Sequence, residues 1–524
     1  MKNKKILFIA ALAAGFTACQ PEFDKELTNA EYSAGEANFT TYVAIGNSLT
    51  AGYMDGTVSR IGQSYSYPNL LAQQFALVGG GAFTQPSYAD DVNNLGGLLL
   101  GGTPIGSNRL VLNASTSSPE PIKGTSTIEV SNLQAKAFNN MGVPGAKSFH
   151  LLAPGYGNLG GVVAKTANPY YVRMATSPSA TVLGDAMTLN PTFFTNWIGS
   201  NDVLAYALDG GRGEDRAGNT NPATYNSNDI TDPNVFKSVY STIINTLTAN
   251  GAKGVVMTIP NVTSIPFFTT VPYNPLTSSV LGQGDTTVGD ATIAQLNAQL
   301  YGPLKQALTA FGQGNRINLL NTTGGNPLLI RDESLEDLRL KLTAAFSSNP
   351  ATAPYATFLG ATYGQARQAT AADLVLLTTR GVIATSPDGI PDPFNKFGIT
   401  YPLQDEHVLV QSEINLINNA TTSFNASIKQ IAADKNLAVA DMNAILNQLV
   451  TGITYDDGQV YNAAYFSTSR ANTTVFSLDG VHPNARGYAL IASEIIKVIN
   501  SHYKAKLPLF NPAYYPGATV VTSN

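Results

Sequence analysis

Short apolar runs alternate with amphipathic stretches along most of this chain. Runs rich in β-branched and aromatic residues predict buried strands at residues 39–45, 193–198, 255–259 and 437–440. Apolar residues at helical spacing predict helices over residues 68–77, 234–250 and 414–433, and a further helix after Pro483. Strands that alternate with helices form parallel sheets covered on both faces. The pattern therefore predicts an α/β fold, a three-layer α/β/α sandwich with a mostly parallel central sheet.

Two long segments interrupt this alternation. Residues 79–136 are rich in Gly, Ser, Asn and Pro and are predicted to form a long loop or insertion. Residues 263–404 contain helix-like pieces between Pro- and Gly-rich stretches, and the strand pattern resumes after them. We interpret both segments as insertions into one domain at residues 39–503, which is followed by a surface-wrapping tail at residues 504–524.

Composition and charge exclude several classes of protein. Only 12% of the 524 residues are charged, and the formal net charge is −5 at pH 7. A strongly charged disordered chain and a nucleic-acid binder with a basic surface are therefore both excluded. The single cysteine excludes a disulfide framework and a thiolate zinc cluster. The histidines lack metal-ligand spacing and no phosphate-binding loop is present, so we expect neither a metal nor a cofactor.

The first residues are typical of an export signal. A basic start precedes an apolar run at residues 6–16, which is too short to span a bilayer as a helix. The run is followed by small residues and Cys19, and this arrangement resembles a bacterial lipoprotein signal. The resemblance implies a signal peptide at residues 1–18, lipidation of Cys19 and a flexible tether at residues 19–38. A plain signal peptide or a short buried helix remains an alternative.

Four short segments lie at the ends of predicted strands or just before a helix, where α/β proteins form their sites. They are residues 46–52 with Ser48, residues 140–146 with Gly145, residues 198–202 with Asn201, and residues 478–483 with Asp479 and His482. Each segment alone also fits an ordinary turn, cap or packed side chain. Together they offer chemistry, because an imidazole held by a carboxylate can activate a serine hydroxyl.

In this order, the four segments resemble the SGNH hydrolases, also called the GDSL esterase/lipase family. The resemblance implies a flavodoxin-like version of the predicted sandwich. It assigns Ser48 as the nucleophile, His482 as the general base and Asp479 as the carboxylate that orients the imidazole. It also implies an oxyanion hole formed by the backbone N–H groups of Ser48 and Gly145 and by the side-chain amide of Asn201.

The resemblance implies hydrolysis of carboxylic esters through an acyl-enzyme on Ser48. Two alternatives stay open: a carbohydrate esterase that deacetylates polysaccharide, and a surface binding lipoprotein without catalysis. The second is favoured mildly by Asn47, since the family usually has Asp before the serine. The expected partners are an ester substrate, either a lipid or an acylated glycan, and the membrane through the lipid anchor, with no nucleic acid. The expected location is the cell envelope, on the outer membrane and outside the cytoplasm.

Overall fold

The computed structural model describes residues 31–455 and 458–522, and its centre is a parallel sheet. The sheet consists of five strands, β1 (Tyr42–Gly46), β2 (Asn140–Gly142), β3 (Phe193–Trp197), β4 (Lys253–Met257) and β5 (Ala438–Ala440). They lie in the order β5-β4-β3-β1-β2, and every neighbouring pair is parallel. The predicted parallel sheet is confirmed. In a sheet with this order, the crevice for a ligand lies where the winding reverses, at the ends of β1 and β3.

Alternate residues of the strands face two separate apolar layers, because successive side chains of a strand point to opposite faces. In β1, Val43 and Ile45 belong to one core cluster, and Tyr42 and Ala44 belong to the other. Two long helices cover the first face, Pro233–Thr248 and Gln411–Asp434. Two others cover the second face, Tyr67–Ala76 and Ala485–Tyr503. The three-layer arrangement predicted from the sequence is therefore present.

Shorter elements complete the described part of the chain. The other α-helices are Ser48–Ala51, Arg60–Ser64, Pro169–Met174, Val182–Met187, Asn201–Leu208, Pro266–Thr269, Ser278–Leu281, Thr286–Leu296, Gly302–Ala310, Arg339–Ser347, Ala356–Tyr363 and Met442–Thr451. Small antiparallel pairs are formed by Leu99–Leu100 with Thr103–Pro104, Leu329–Arg331 with Ala366–Gln368, Leu374–Val375 with Val408–Leu409, and Ile453–Thr454 with Val460–Tyr461. A three-stranded sheet joins Leu110–Asn113, Ser118–Pro121 and Val520–Val521.

The two interrupting segments pack against the central domain. Residues 79–136 contain short strands and contribute Leu98, Ile128 and Val130 to an apolar cluster that also contains Ala51, so this segment is more ordered than a long loop. Residues 263–404 form one apolar cluster of their own and most of a second, which also contains Val408 and Val410. Within this segment, the N–H of Phe267 donates a hydrogen bond of 2.9 Å to the carbonyl oxygen of Gly480. The second segment therefore contacts the loop that carries Asp479.

The two ends of the described chain also pack against this body. The predicted signal peptide and Cys19 lie outside the described residues. The backbone of Ser33 pairs with that of Lys506, and Glu36 donates its N–H to the carbonyl of Tyr503. Ser33 and Glu36, which lie in the predicted tether, therefore make backbone contacts with the C-terminal part of the domain. In the described ranges, we find no helix with both the length and the apolar character needed to cross a bilayer.

Candidate active site

The nucleophile predicted from the sequence lies in a tight turn at the end of β1. The chain passes from Gly46 directly into the helix Ser48–Ala51, so Ser48 occupies its first turn. A Cβ atom at Gly46 would lie 2.2 Å from the Thr50 hydroxyl and 2.4 Å from the carbonyl oxygen of Trp197. Only glycine fits there, and the absence of a side chain lets β1 and β3 approach each other beside Ser48.

Asn47 caps the same helix. Its side-chain oxygen accepts the N–H of Leu49 at 3.1 Å, and the residue is 1% exposed. An aspartate would accept this hydrogen bond through the same kind of oxygen. The departure from the usual family residue therefore leaves the cap of the Ser48 helix in place.

A chain of hydrogen bonds links Ser48, His482 and Asp479. The Oγ atom of Ser48 lies 2.9 Å from Nε2 of His482, although the two residues are 434 positions apart. The other ring nitrogen, Nδ1, lies 2.9 Å from Oδ2 of Asp479. When Nδ1–H donates to the carboxylate, Nε2 keeps a lone pair and can accept the serine proton. The structure therefore brings together the three residues that the sequence analysis selected for this chemistry.

The carboxylate of Asp479 is held in its charged form. Its Oδ1 accepts the backbone N–H groups of Val481 and His482, each at 2.8 Å, and the hydroxyl of Ser477 at 2.9 Å. Its Oδ2 also accepts the N–H of Gly56 at 3.0 Å. Burial acts to raise the pKa of Asp479, but the charge of His482 and these hydrogen bonds outweigh it and hold that pKa below its usual value.

A second buried carboxylate, Asp55, braces the loop that carries Asp479. It accepts the N–H of Leu478 at 3.0 Å, and its own N–H donates to the Ser477 hydroxyl at 3.1 Å. Burial raises the pKa of Asp55 to about 7; the Leu478 hydrogen bond opposes this rise, the charge of Asp479 adds to it, and Arg109 opposes it. The sequence analysis did not select Asp55, whose only local signal was its position before Gly56, typical of a turn.

The imidazole is also held by an aromatic ring. The rings of Tyr53 and His482 have centroids 4.5 Å apart and planes inclined by 40°. Tyr53 is itself fixed, since the hydroxyl of Tyr488 donates to its carbonyl oxygen at 2.7 Å. Burial raises the pKa of the Tyr53 hydroxyl far above its ordinary value, so this ring is neutral beside the histidine.

Asn201 begins the helix Asn201–Leu208 immediately after β3. Its Nδ2 donates one hydrogen bond of 2.9 Å to the carbonyl oxygen of Ala146. A side-chain amide has two N–H donors, so this bond fixes the amide and leaves the second donor available for a substrate oxygen. The N–H of Ser48 is available as well, because the N–H groups in the first turn of a helix have no acceptor within that helix.

Gly145 lies on the loop that follows β2, and it is exposed although its neighbours Pro144 and Ala146 are buried. Residues 140–142 form a strand of the sheet that the sequence analysis did not predict. The loop begins beside β1, where the N–H of Val143 donates to the carbonyl of Gly46 at 2.9 Å. A Cβ on Gly142 would lie 2.2 Å from the nitrogen of Ala51, so Gly142 serves close packing. The φ of Gly145 is +78°, in the left-handed region that favours glycine.

Asp202 joins the two loops that carry the candidate oxyanion donors. It is fully buried and accepts the N–H of Ser148 at 2.8 Å and the Ser148 hydroxyl at 2.7 Å. Burial raises the pKa of Asp202, and the Ser148 hydrogen bonds and Lys147 oppose that rise. Asp202 stands in a segment that the sequence analysis quoted, but no role was predicted for it.

An apolar pocket lies beside Ser48 and His482. It extends from Ser48, Asn201 and His482 toward the helix Met442–Thr451 and contains about 700 Å³ of space free of protein atoms, part of it open to solvent. Its remaining walls are almost entirely carbon, from Leu49, Trp197, Leu204, Pro260, Val262, Ile265, Met442, Ile445, Leu446, Leu449, Phe476, Val481, Pro483 and Ile491, with the side chains of Asn47 and Ser200.

The comparisons with known proteins give one match. The family model described as GDSL-like Lipase/Acylhydrolase matches residues 336–495. This range contains Asp479 and His482, and it does not reach Ser48, Gly145 or Asn201. Neither the curated proteins nor the solved structures give a match. In the described ranges, no cluster of three or more His, Cys, Asp or Glu side chains is arranged to hold a metal ion.

Proposed function

We propose that this protein is a serine hydrolase of the GDSL-like lipase/acylhydrolase family and that it cleaves carboxylic esters through an acyl-enzyme on Ser48. The proposal rests on the chain of hydrogen bonds from Ser48 to Asp479. Oγ of Ser48 lies 2.9 Å from Nε2 of His482, and Nδ1 of His482 lies 2.9 Å from Oδ2 of Asp479. A serine hydroxyl is a weak nucleophile near neutral pH and needs a base within hydrogen-bond reach. Nε2 of His482 is at that distance.

Acylation begins when Ser48 Oγ attacks the ester carbonyl carbon and its proton passes to Nε2 of His482. The carbonyl oxygen becomes an oxyanion, which the N–H groups of Ser48 and Gly145 and the Asn201 amide stabilise. Each such donor contributes about 3 to 4 kcal/mol in the transition state. The imidazolium then gives its proton to the departing alkoxy oxygen, so the alcohol leaves and the acyl group remains on Ser48.

Deacylation repeats these steps with water as the nucleophile. Nε2 of His482 takes a proton from water while the water oxygen attacks the acyl carbon. When the second tetrahedral intermediate collapses, the proton returns to Oγ of Ser48 and the carboxylic acid is released. Asp479 stays ionised throughout, because its hydrogen bonds and the charge of His482 lower its pKa.

The apolar pocket supports an acyl chain longer than acetyl. Its walls beyond Ser48 are side chains such as Leu204, Leu446 and Leu449, which offer nothing to a short polar group. Each methylene buried there contributes about 0.8 kcal/mol to binding. This favours esters of medium-length or long fatty acids over the deacetylation of polysaccharide, which would use the same catalytic residues.

The alternative of a binding lipoprotein without catalysis is disfavoured by the local structure. Asn47 keeps the hydrogen bond to Leu49 that an aspartate would make. The side chains of His482 and Asp479 are 15% and 12% exposed. This partial exposure leaves a route for substrate and limits the access of solvent to the hydrogen bonds.

The direct test compares nitrophenyl acetate, butyrate, octanoate and laurate as substrates of the wild type and of Ser48→Ala. We expect kcat/KM of the wild type to rise from acetate to octanoate. The Ser48→Ala variant should have no turnover and the same melting temperature as the wild type. A serine-reactive fluorophosphonate probe should label the wild type and not the variant. Turnover above a few percent in Ser48→Ala, or labelling of that variant, would remove Ser48 from the role of nucleophile.

The location of the enzyme is a second proposal, and it rests on the sequence alone. Lipidation of Cys19 would hold the enzyme on the outer membrane, outside the cytoplasm. Labelled palmitate should enter the wild type in a bacterial host and should not enter Cys19→Ala. Equal incorporation into both proteins would contradict an anchor at this residue.

A further inference from the structure

A second cavity begins at the loop after β2. Gly145 lines it, and it shares no lining residue with the apolar pocket that contains Ser48 and Asn201. The two cavities are neighbours, because Asn201 is hydrogen-bonded to Ala146, the residue next to Gly145. The second cavity contains about 1420 Å³ of space free of protein atoms and is open to solvent. We call it the aromatic cleft, from the rings of Phe149, His150, Tyr156 and Tyr225 in its wall.

A series of ring contacts connects the wall of the aromatic cleft to the imidazole of His482. Its wall includes Asn168 and Pro169, and the chain continues to Tyr170. The rings of Tyr170 and Tyr53 have centroids 6.4 Å apart, and the ring of Tyr53 lies on the imidazole of His482. The cleft therefore begins at the candidate oxyanion loop, and Tyr170 and Tyr53 connect its wall to the base.

The aromatic rings of the cleft form a connected wall. The ring of Phe149 contacts those of Tyr225 and His150, with centroids 5.8 Å and 4.5 Å apart, and His150 stacks on Tyr156 at 4.5 Å and 12°. Burial and the charge of Lys147 lower the pKa of His150 to about 4, so its ring is neutral at the pH of most assays. Four neutral rings thus present apolar faces and edges to the cleft.

Polar groups without negative charge complete the lining. Thr166, Asn226 and Ser227 contribute hydroxyl and amide groups, and the lining contains no Asp or Glu side chain. Of the two lysines in the wall, Lys147 is 2% exposed and donates to the carbonyl oxygen of Asp229, so its charge is not directed at the cleft. The other, Lys165, is exposed and adds one positive charge to the lining. Aromatic faces beside neutral hydrogen-bonding groups suit a ligand that has both C–H faces and many hydroxyls.

We propose that the aromatic cleft binds the alcohol half of the substrate, and that this alcohol is a sugar or a similar polyol. This inference rests on the proposed ester hydrolysis. An ester bound at Ser48 has two halves, and the apolar pocket takes the acyl chain. The alcohol half then lies toward Gly145 and the cleft, where its C–H faces stack on rings and its hydroxyls bond to the amide and hydroxyl groups.

The test compares esters that share one acyl chain and differ only in the alcohol. Octanoyl glucose, methyl octanoate and an octanoyl lysophosphatidylcholine are assayed with the wild type, Tyr225→Ala and Tyr225→Phe. We expect the wild type to have the lowest KM for octanoyl glucose. Tyr225→Ala should raise that KM about tenfold, which corresponds to about 1.4 kcal/mol, and leave kcat unchanged. Tyr225→Phe keeps the ring and should restore most of the affinity.

Two controls separate binding in the cleft from a loss of structure. Tyr514 is 85% exposed and does not line the cleft, so Tyr514→Ala removes a tyrosine without removing a wall. It should leave every KM unchanged. For Tyr225→Ala, the KM for methyl octanoate should also be unchanged; an equal rise for both esters would mean a general disturbance and would overturn the proposal.

Other outcomes also decide the question. The sugar alcohol is overturned as the occupant if the wild-type KM for octanoyl glucose is no lower than that for methyl octanoate. It is also overturned if the lysophospholipid has the lowest KM. If no ester is hydrolysed at all, the proposed function fails. The cleft is then judged by calorimetric binding of octanoyl glucose to Ser48→Ala with and without Tyr225→Ala. Binding that depends on Tyr225 supports the cleft, and equal or absent binding overturns it.

Discussion

The carboxylate of Asp202 accepts two hydrogen bonds from Ser148, one from the N–H at 2.8 Å and one from the hydroxyl at 2.7 Å. Asp202 follows Asn201, and Ser148 lies in the chain that continues from Gly145. This clamp therefore sets the distance between two of the candidate donors to the oxyanion. A shift of a few tenths of an ångström between them would weaken stabilisation of the transition state more than binding of the ground state.

Replacing the Asp202 clamp should slow the reaction of Ser48 without removing the fold. In Asp202→Asn, one acceptor oxygen becomes an N–H donor that faces the Ser148 donors. We expect kcat to fall about tenfold or more, with a similar loss in the rate of fluorophosphonate labelling at 25 °C. Ser148→Ala keeps the backbone hydrogen bond and should lose less. A lower melting temperature with an unchanged labelling rate would make Asp202 a structural residue only.

Asn201→Ala should lower kcat by about 10²-fold or more, because it removes one donor to the oxyanion. The expected change in KM is small, since the donor acts on charge that develops only in the transition state. Steady-state kinetics with nitrophenyl octanoate measure both parameters. An unchanged kcat would leave Asn201 with only its hydrogen bond to Ala146.

A bulky residue in the apolar pocket should shift the preference for acyl chains. Leu446 lines the pocket and is 5% exposed, so Leu446→Trp should block its depth. We expect kcat/KM for octanoate to fall about tenfold, equivalent to a few methylene contacts, and that for acetate to stay the same. Gln448 lies on the same helix and is exposed, which makes Gln448→Trp the matched control. Equal losses for both esters would place the acyl chain elsewhere.

Asp55 should make the folded protein less stable as the pH rises toward neutrality. Its pKa is about 7 in the folded protein, above the ordinary value of 3.8, because it is buried. The folded state therefore keeps a proton that the unfolded state loses. The contribution of Asp55 to the free energy of unfolding is therefore complete below about pH 4 and declines as the pH approaches about 7.

The variant Asp55→Asn isolates this effect. An asparagine can still accept the N–H of Leu478, but it does not titrate. Urea unfolding at about pH 5 and about pH 8 should show a smaller fall in the free energy of unfolding for Asp55→Asn than for the wild type. An equal fall in both proteins would assign the pH dependence to other groups.

Sequence patterns predicted the elements that bury many residues. The strand around residues 193–198 was found because it is a short run rich in aromatic residues, and the helix around residues 234–250 because apolar residues recur at helical spacing. The strand Asn140–Gly142 was missed, since three residues of Asn, Met and Gly show no alternation; pairing with β1 holds them in the sheet. The helix Met442–Thr451 was also missed, although its cap Asp441 and its buried Met442, Leu446 and Leu449 are visible in the sequence.

The sequence by itself indicated Ser48, His482 and Asp479 as candidates for the chemistry, because they stand in short segments whose residue types and order are specific, and the structure brings them within hydrogen-bond distance. It also determined the layered α/β fold, since the apolar period of each element depends only on nearby residues. Only the tertiary structure decided what surrounds these three residues. Asp55 contacts Leu478, 423 positions away, and Asp202 contacts Ser148, 54 positions away. Local patterns do not show which segments the parallel sheet brings to one edge.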